Sequence, residues 1–335
     1  MPTLYVVEQG ARLAIEGRRL VVSSVSGNQA TQVPLAHITA VVLFGNVRLT
    51  TPAMKRLLRA GIDVIFLTQG GRYVGRLVGP LSRFGLLRQR QYEGARQATF
   101  CLPLAQAIIR AKCLNMRTLL MRYQRNTTHP DLAAAIERLG RLADRAPQAP
   151  THRALGGIEG SASAAYFGVF RHLFKRDWPF RGRLRRPPPD PVNVLLSLGY
   201  TLLTRELEAA VALVGLDPYI GVMHSTEYGR PSLALDLVEE FRAIVVDSVV
   251  LRCLNNDLIT PDDFTPGQDP ARPVILSDQG TRRLIRAFED RVQTTIRHPV
   301  TGEQMTYRRA FEIQTRLLAR CFLDGEPVYR PFLVR

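Results

Sequence analysis

Apolar and polar positions follow two different patterns along the chain, and the change falls near residue 90. Seven short runs of β-forming residues, separated by turn residues, predict strands over residues 4–8, 12–15, 20–24, 38–44, 47–50, 62–67 and 73–77. Gly45-Asn46 has the chemistry of a two-residue hairpin turn. A short helix is predicted over residues 54–60, after Pro52. The first 90 residues are therefore predicted to form a β-rich domain.

From about residue 92 the apolar positions recur with the period of a helix. The first helix combines an apolar face with charged flanking residues, which are Arg110, Lys112, Arg117 and Arg122. Further helices are predicted over residues 131–145, 158–174, 193–214, 233–255, 278–295 and 307–323. The two patterns together predict an α+β protein, with a small β-rich domain over residues 1–90 and a larger all-helical domain over residues 91–335.

The charge of the chain indicates a polyanionic partner. The net charge is +16, and the basic residues are almost all arginine, since the only lysines are Lys55, Lys112 and Lys175. Arginine can hold a phosphate through two parallel hydrogen bonds. The first 90 residues alone carry twelve basic and three acidic residues. Because no basic amphipathic anchor helix stands out, nucleic acid is favoured over an anionic membrane.

Simple patterns exclude several other classes of protein. No stretch reaches the roughly 18–20 uninterrupted apolar residues of a membrane-spanning helix, and the N-terminus shows no secretory signal. A cytoplasmic protein without membrane contact is therefore expected. The four cysteines lack the spacing of zinc sites or disulfide frameworks, so buried reduced thiols are expected. Walker A, Gly-x-Ser-x-Gly and His-Glu-x-x-His motifs are absent.

Polar residues inside otherwise apolar segments form a candidate site. Glu159 opens a predicted helix within a run of small residues, and His224 follows an apolar run. The helix over residues 233–255 carries three acids on one side: Asp236, Glu239 and Glu240. Two carboxylates and an imidazole from three separate helical segments can form a divalent-cation site, and hard oxygen ligands favour Mg²⁺ or Mn²⁺.

The same residues also have structural interpretations. Glu159 could be a first-turn carboxylate that the helix dipole favours, and His224 could be a hydrogen-bonded core histidine. The acids around Glu239 could form a solvated face or pair with Arg242. Residues 176–189 are a basic, proline-rich connector, which fits either a solvated linker or a track for a DNA backbone.

Three blocks of sequence closely resemble the signature of the CRISPR-associated integrase family, called CRISPR-associated protein one. They lie over residues 157–166, 191–200 and 215–242, and Val246-Asp247 and the segment Tyr329-Arg330-Pro331-Phe332 match as well. The resemblance spans nearly the whole chain. It implies an N-terminal β-sandwich-like domain, which is expected to dimerise, followed by a helical catalytic domain. It also implies a homodimer that assembles with the small CRISPR-associated protein two and acts on double-stranded DNA.

The resemblance also assigns roles to individual residues. Glu159, His224 and Glu239 are implied as catalytic metal ligands for Mg²⁺ or Mn²⁺, with Asp236 as a supporting acid. Three further residues are implied to line the site: Tyr166, Asn193 and Tyr200. The candidates for contacts to the DNA backbone are Arg181, Arg183, Arg185, Arg186, Arg230 and Arg242.

The implied function is adaptive antiviral defence. A metal-dependent endonuclease and integrase would insert short foreign-DNA spacers into a CRISPR array, through attack of a 3′-hydroxyl on the repeat. If water attacks instead, the same site is a nuclease. Two alternatives stay open at this point: a non-catalytic DNA-binding scaffold subunit, and a repair nuclease that acts on branched DNA.

Overall fold

The computed structural model describes residues 3–24, 30–38, 40–71, 73–77, 79, 84–125, 129–184, 186–225 and 227–334. The strands are β1 (Thr3–Val6), β2 (Arg12–Glu16), β3 (Arg19–Ser23), β4 (Ala30–Pro34), β5 (Ala40–Phe44), β6 (Arg48–Leu49), β7 (Asp63–Leu67), β8 (Tyr73–Leu77), β9 (Phe264–Pro266), β10 (Val274–Leu276), β11 (Thr295–Arg297) and β12 (Gln304–Thr306). The α-helices are α1 (Thr51–Arg59), α2 (Gly85–Ala95), α3 (Ala98–Gln124), α4 (Pro130–Arg145), α5 (His152–Val169), α6 (Pro191–Val214), α7 (Ser232–Phe241), α8 (Ser248–Asn255), α9 (Asp278–Val292) and α10 (Tyr307–Asp324).

Two four-stranded sheets make up the N-terminal region. One has the order β1-β5-β7-β8, in which β8 is the antiparallel member, and the other has the order β4-β3-β2-β6. An apolar cluster that includes Leu13, Leu20, Val41 and Val64 lies between them. The hairpin predicted at Gly45-Asn46 was wrong. β5 and β6 belong to different sheets, so the chain crosses from one sheet to the other at that turn.

The central strands of the first sheet join the two regions of the protein. Successive side chains of a strand point to opposite faces, and β5 is apolar on both. Val41 and Leu43 pack into the cluster between the sheets, whereas Val42 and Phe44 belong to the large core of the helical region. This explains why every residue from 40 to 44 is apolar.

The helical region is organised around α3. This helix is buried on nearly all sides, and its buried residues include the polar Lys112 and Asn115. The Asn115 side chain donates hydrogen bonds to the backbone oxygens of Glu240 and Phe332, both at 2.8 Å. These bonds tie α7 and the C-terminal segment to α3. No helix in the described part of the chain is both long and apolar enough to cross a membrane.

The predicted fold class is confirmed, because a β-rich N-terminal region precedes a larger helical one. The second region is nevertheless not all-helical, since β9–β10 and β11–β12 form two short antiparallel ribbons. The helix predicted over residues 233–255 is interrupted by a π-helical turn at Arg242–Asp247, between α7 and α8. The predicted domain boundary at residue 90 falls inside α2.

Candidate metal centre

Two carboxylates from different helices meet one buried ammonium group. Glu159 lies on α5 and Glu239 on α7, and both form ion pairs with Lys112 of α3. The distance from Lys112 Nζ to Glu239 Oε2 is 2.7 Å. Lys112 is 1% exposed, whereas the Glu159 side chain is 29% exposed. Glu159 therefore faces the opening of the site and Glu239 forms its floor.

Glu239 is also held by a buried arginine. Arg242 Nη1 donates to Glu239 Oε1 at 2.8 Å, and its guanidinium carbon lies 4.3 Å from the ring centre of Tyr200. Burial alone would raise the pKa of Glu239. Arg242 and Lys112 outweigh burial and hold that pKa well below its usual range. The carboxylate therefore stays ionised and available as a ligand.

Behind Arg242, two tyrosines share one buried carboxylate. The hydroxyl of Tyr166 donates to Asp247 Oδ2 at 2.9 Å, and that of Tyr200 donates to Asp247 Oδ1 at 2.5 Å. Burial raises the pKa of Asp247 to about 6, although both hydroxyls and Arg242 favour its charged form. Both tyrosine hydroxyls thus bind Asp247, and the Tyr200 ring also lies against the Arg242 guanidinium.

His224 is positioned by Asp236. Its Nδ1 lies 2.6 Å from Asp236 Oδ1, which leaves Nε2 as the ring nitrogen for a ligand. The same carboxylate accepts hydrogen bonds from the backbone N–H groups of Val222, Met223 and His224. Gly221 is required here, because a Cβ at this position would lie 2.6 Å from Asp236 Oδ2. Such carboxylate–histidine pairs fix the ring orientation of metal-binding histidines.

Local structure changes two of the sequence interpretations. His224 does not come from a helix, since it lies in the loop between α6 and α7. Glu159 lies in the second turn of α5, which begins at His152, so the first-turn interpretation was wrong. Glu240 points away from Lys112 and binds the C-terminal segment through the Tyr329 hydroxyl and the backbone N–H of Phe332.

The other predicted site residues have specific places. Asn193 is fully buried near the start of α6, where its side chain bonds Asp190, Gly182 and Leu184 and anchors the proline-rich connector. Arg183 also turns inward and donates to Asn193 and Ser197. Arg242 is buried against Glu239, which does not favour its predicted contact with DNA. Arg181 and Arg186 are exposed, Arg230 is partly exposed beside Glu227, and Arg185 lies outside the described residues.

Sequence reasoning missed Lys112 and gave Asp247 no role. Lys112 was placed on a charged flank of the helix, yet it is as buried as its neighbours Ala111 and Cys113. One signal was available, since Lys112 is one of only three lysines in an arginine-rich chain and sits within an apolar stretch. Asp247 similarly follows an apolar run, residues 244–246, where a lone carboxylate needs buried partners.

The donor set fits a hard divalent cation. The carboxylates of Glu159 and Glu239 converge on the position of the Lys112 ammonium. Asp236 holds Nδ1 of His224, so that Nε2 is the ring nitrogen left for a ligand. Among the described residues, the group of three side chains whose ligand atoms lie within 4.8 Å of one another is not the predicted trio. It consists of His129, Asp131 and His172. That group fits a metal poorly. Its imidazole rings are stacked at 3.8 Å, and Arg171 donates to a ring nitrogen of His172.

Replacing Asp236 with Asn is expected to lower the affinity for Mn²⁺ by about 10–100-fold. An amide in place of the carboxylate cannot accept all the bonds that now hold the loop 222–224 and His224 Nδ1. Free Mn²⁺ measured by electron paramagnetic resonance gives the affinity directly. Asp217→Asn, which alters a carboxylate of the same loop, is the control. Wild-type affinity in Asp236→Asn would show that His224 is oriented by something else.

Fold and site together define a class: basic α+β proteins in which two carboxylates from different helices meet at one buried cation position. The model of the family "CRISPR associated protein Cas1" matches residues 4–290. The chain is 38% identical over 333 residues to "CRISPR-associated endonuclease Cas1 3" of Thermus thermophilus, covering 99% of this chain and 97% of that protein. The chain therefore belongs to the Cas1 family, and the predicted family is confirmed.

Two solved structures extend the comparison. A CAS1 protein from Thermotoga maritima superposes with a TM-score of 0.82 at 25% identity, and the match covers 98% of this chain and 99% of that one. A chain of a Cas6-RT-Cas1–Cas2 complex matches with a TM-score of 0.82 at 26% identity over 97% of this chain and 35% of that one. The shared fold therefore includes both the β-rich and the helical region.

Proposed function

We propose that this Cas1-family enzyme is a metal-dependent DNA endonuclease and integrase that inserts short spacers into a CRISPR array. The observation that carries the proposal is the convergence of Glu159 and Glu239 on one buried cation position. His224, which Asp236 orients, lies close enough to contribute to the lowered pKa of Glu239. The relative from Thermus thermophilus is named an endonuclease and matches over nearly its whole length. Repair of branched DNA and a purely scaffolding role are outcomes that the test below distinguishes.

Three side chains would hold Mg²⁺ or Mn²⁺: Glu159, His224 through Nε2, and Glu239. A divalent cation held there would supply Lewis-acid chemistry, which would polarise the scissile phosphate and stabilise the leaving oxygen. Arg242 keeps Glu239 ionised from behind, and Asp236 keeps the His224 ring in the orientation that presents Nε2. These residues therefore fix the position at which a phosphate can react.

The surface beside Glu159 is open to a DNA backbone. Gly156, Gly157 and Gly160 on α5 are exposed, and a Cβ added at any of them would meet nothing within 4 Å. The sugar–phosphate backbone of DNA can therefore approach the backbone of α5 closely at this point. The net charge of +16 provides the long-range attraction, and Arg181, Arg186 and Arg230 are the candidates for direct contacts.

The reaction exchanges one phosphodiester bond for another. The 3′-hydroxyl of the spacer attacks a phosphorus atom of the repeat strand and loses its proton, while the leaving 3′ oxygen gains one. The number of phosphodiester bonds is unchanged, so no ATP is required. If water attacks in place of the hydroxyl, the strand is cut instead, which accounts for nuclease activity at the same centre.

The assembly is part of the same proposal. A structurally related chain occurs in a complex that contains Cas2, which supports a small Cas2-type protein as the partner of this chain. We infer in addition a homodimer that acts on double-stranded DNA in the cytoplasm. Sedimentation of the purified chain, alone and with the partner, gives the masses that check the dimer and the heteromeric complex.

The decisive experiment is strand transfer of a short duplex into a plasmid that carries CRISPR repeats. Wild-type protein with its Cas2-type partner is expected to join the DNA in Mn²⁺ and to lose all joining in EDTA. A donor with a 3′-dideoxy end is the matched control, since it binds like the normal donor but lacks the attacking hydroxyl. We expect it to abolish joining and to leave plasmid nicking intact.

Three outcomes would contradict the proposal. Binding of DNA without joining or cutting in any metal would indicate a scaffold subunit. Joining that survives EDTA would remove the metal from the reaction. Cutting restricted to branched DNA, with equal activity on plasmids with and without repeats, would indicate a repair nuclease.

A further inference from the structure

We propose that Lys112 is a resident cation of the metal centre, which competes with the divalent metal for Glu159 and Glu239 and thereby sets the metal affinity. This inference rests on the metal site of the proposed function. Lys112 is a positioning residue in this view, since its ammonium acts on the two carboxylates and not on the DNA.

The buried position of Lys112 requires that its positive charge be compensated. The side chain is 1% exposed, and its neighbours on α3, Ala111 and Cys113, are completely buried. An ammonium group cannot stay charged in such a place without compensation. The compensation comes from the two carboxylates, one on α5 and one on α7. Lys112 therefore links three helices, α3, α5 and α7, through its two ion pairs.

Each carboxylate that would hold the metal already has a cationic partner. Glu159 and Glu239 carry two negative charges, and Lys112 and Arg242 carry two positive ones. A divalent cation that bound the same two carboxylates would lie close to the ammonium of Lys112, and the two positive charges would repel each other. Metal binding must therefore weaken the contacts of one of the resident cations.

Lys112 is the cation that can give way. Arg242 is fixed by its stacking on Tyr200 and by its bond to Glu239 Oε1, on the side away from Lys112. The ammonium of Lys112 sits between the two carboxylates, which is where a bridging metal would bind, and it is carried by a flexible stem of four carbons. The metal-free protein is thus stabilised by Lys112, and the same residue lowers its affinity for metal.

This arrangement predicts two effects of opposite sign for Lys112→Met. The variant should unfold at a lower temperature than wild type in EDTA, because two carboxylates lose a partner. It should also bind Mn²⁺ at least about tenfold more tightly, because a positive charge has left the site. Its gain in melting temperature on addition of Mn²⁺ should exceed the gain of wild type.

Mn²⁺ affinity is measured by paramagnetic resonance on the full chain without DNA, and melting temperatures are measured in EDTA and in saturating Mn²⁺. Lys112→Arg keeps the charge and should bind as weakly as wild type, and Lys112→Gln should bind tightly like Lys112→Met. Lys175→Met, at an exposed lysine, should match wild type in both measurements. If Lys112→Met folds only when Mn²⁺ is present, the proposal is supported.

Equal or weaker Mn²⁺ binding by both Lys112→Met and Lys112→Gln would overturn the role of Lys112 while leaving the metal site in place. Failure of the proposed function looks different. In that case wild type and Glu159→Gln would bind Mn²⁺ alike, because Glu159 would not be a ligand. The two hypotheses can therefore fail separately in one set of titrations.

Discussion

Strand transfer is expected to fall by at least about 1,000-fold when Glu159 is replaced by Gln, with the fold intact. The loss follows from electrostatics, because removing a group that stabilises developing charge costs on the order of 10²–10³-fold, and a lost metal ligand adds to that loss. The cost in stability should be small, since the Glu159 side chain is 29% exposed and Lys112 keeps its pair with Glu239. The strand-transfer assay with repeat-bearing plasmid measures the effect.

Two controls make this prediction specific. Glu137→Gln changes an exposed glutamate on α4 that pairs with Arg141 one helical turn away, and it should leave joining unchanged. DNA binding by Glu159→Gln should equal or exceed that of wild type, because a negative charge has been removed near the phosphates. If the variant joins DNA within about tenfold of the wild-type rate, Glu159 is not a catalytic ligand.

The sequence predicted the ionisable members of the site well, for a physical reason. A charged side chain in an apolar segment needs a partner or a ligand, so Glu159, His224 and Glu239 stood out against their neighbours. The family resemblance then gave them a shared role. The structure brings Glu159 and Glu239 onto one cation and adds the hydrogen bond between His224 and Asp236.

Partners that come from distant segments could not be read from the sequence. Lys112 lies 47 residues from Glu159, and nothing in its own helix indicates that both of its partners are carboxylates. Arg242 is a local partner, and the sequence offered two interpretations of it: a phosphate contact, or a pair with the acids around Glu239. The structure shows the pair, because the Arg242 side chain is directed at Glu239 at the start of the π-helical turn.

Local turn chemistry also misled the prediction in the β-rich region. Gly45-Asn46 has the composition of a hairpin, and Gly45 indeed has a positive φ of 65°. Pairing depends on longer-range packing, however. In the first sheet β5 pairs with β1 and β7, and in the second sheet β6 pairs with β2. The short ribbons β9–β10 and β11–β12 were missed because three-residue strands carry almost no periodic signal.

Replacing Arg242 with Met is expected to lower the free energy of unfolding by about 3–5 kcal/mol. The reason is that breaking a buried ion pair leaves an uncompensated charge. Arg242 and Glu239 are both buried, and the guanidinium also covers the ring of Tyr200. Denaturant unfolding in EDTA measures the loss. Arg230→Met provides the contrast, since Arg230 pairs with the exposed Glu227 and such surface pairs contribute at most about 1 kcal/mol.

The same variant links stability to the metal site. With Arg242 absent, Glu239 loses one of its two cationic partners, and a bound divalent cation can replace the missing charge. Saturating Mn²⁺ should therefore recover more stability in Arg242→Met than in wild type. If Arg242→Met lowers the free energy of unfolding by less than about 1 kcal/mol, the pair of Arg242 and Glu239 is well solvated in the folded protein. If Mn²⁺ does not reduce the lost free energy of unfolding, Glu239 is not a metal ligand, because a carboxylate shared by Arg242 and the metal would couple metal binding to the stability of the variant.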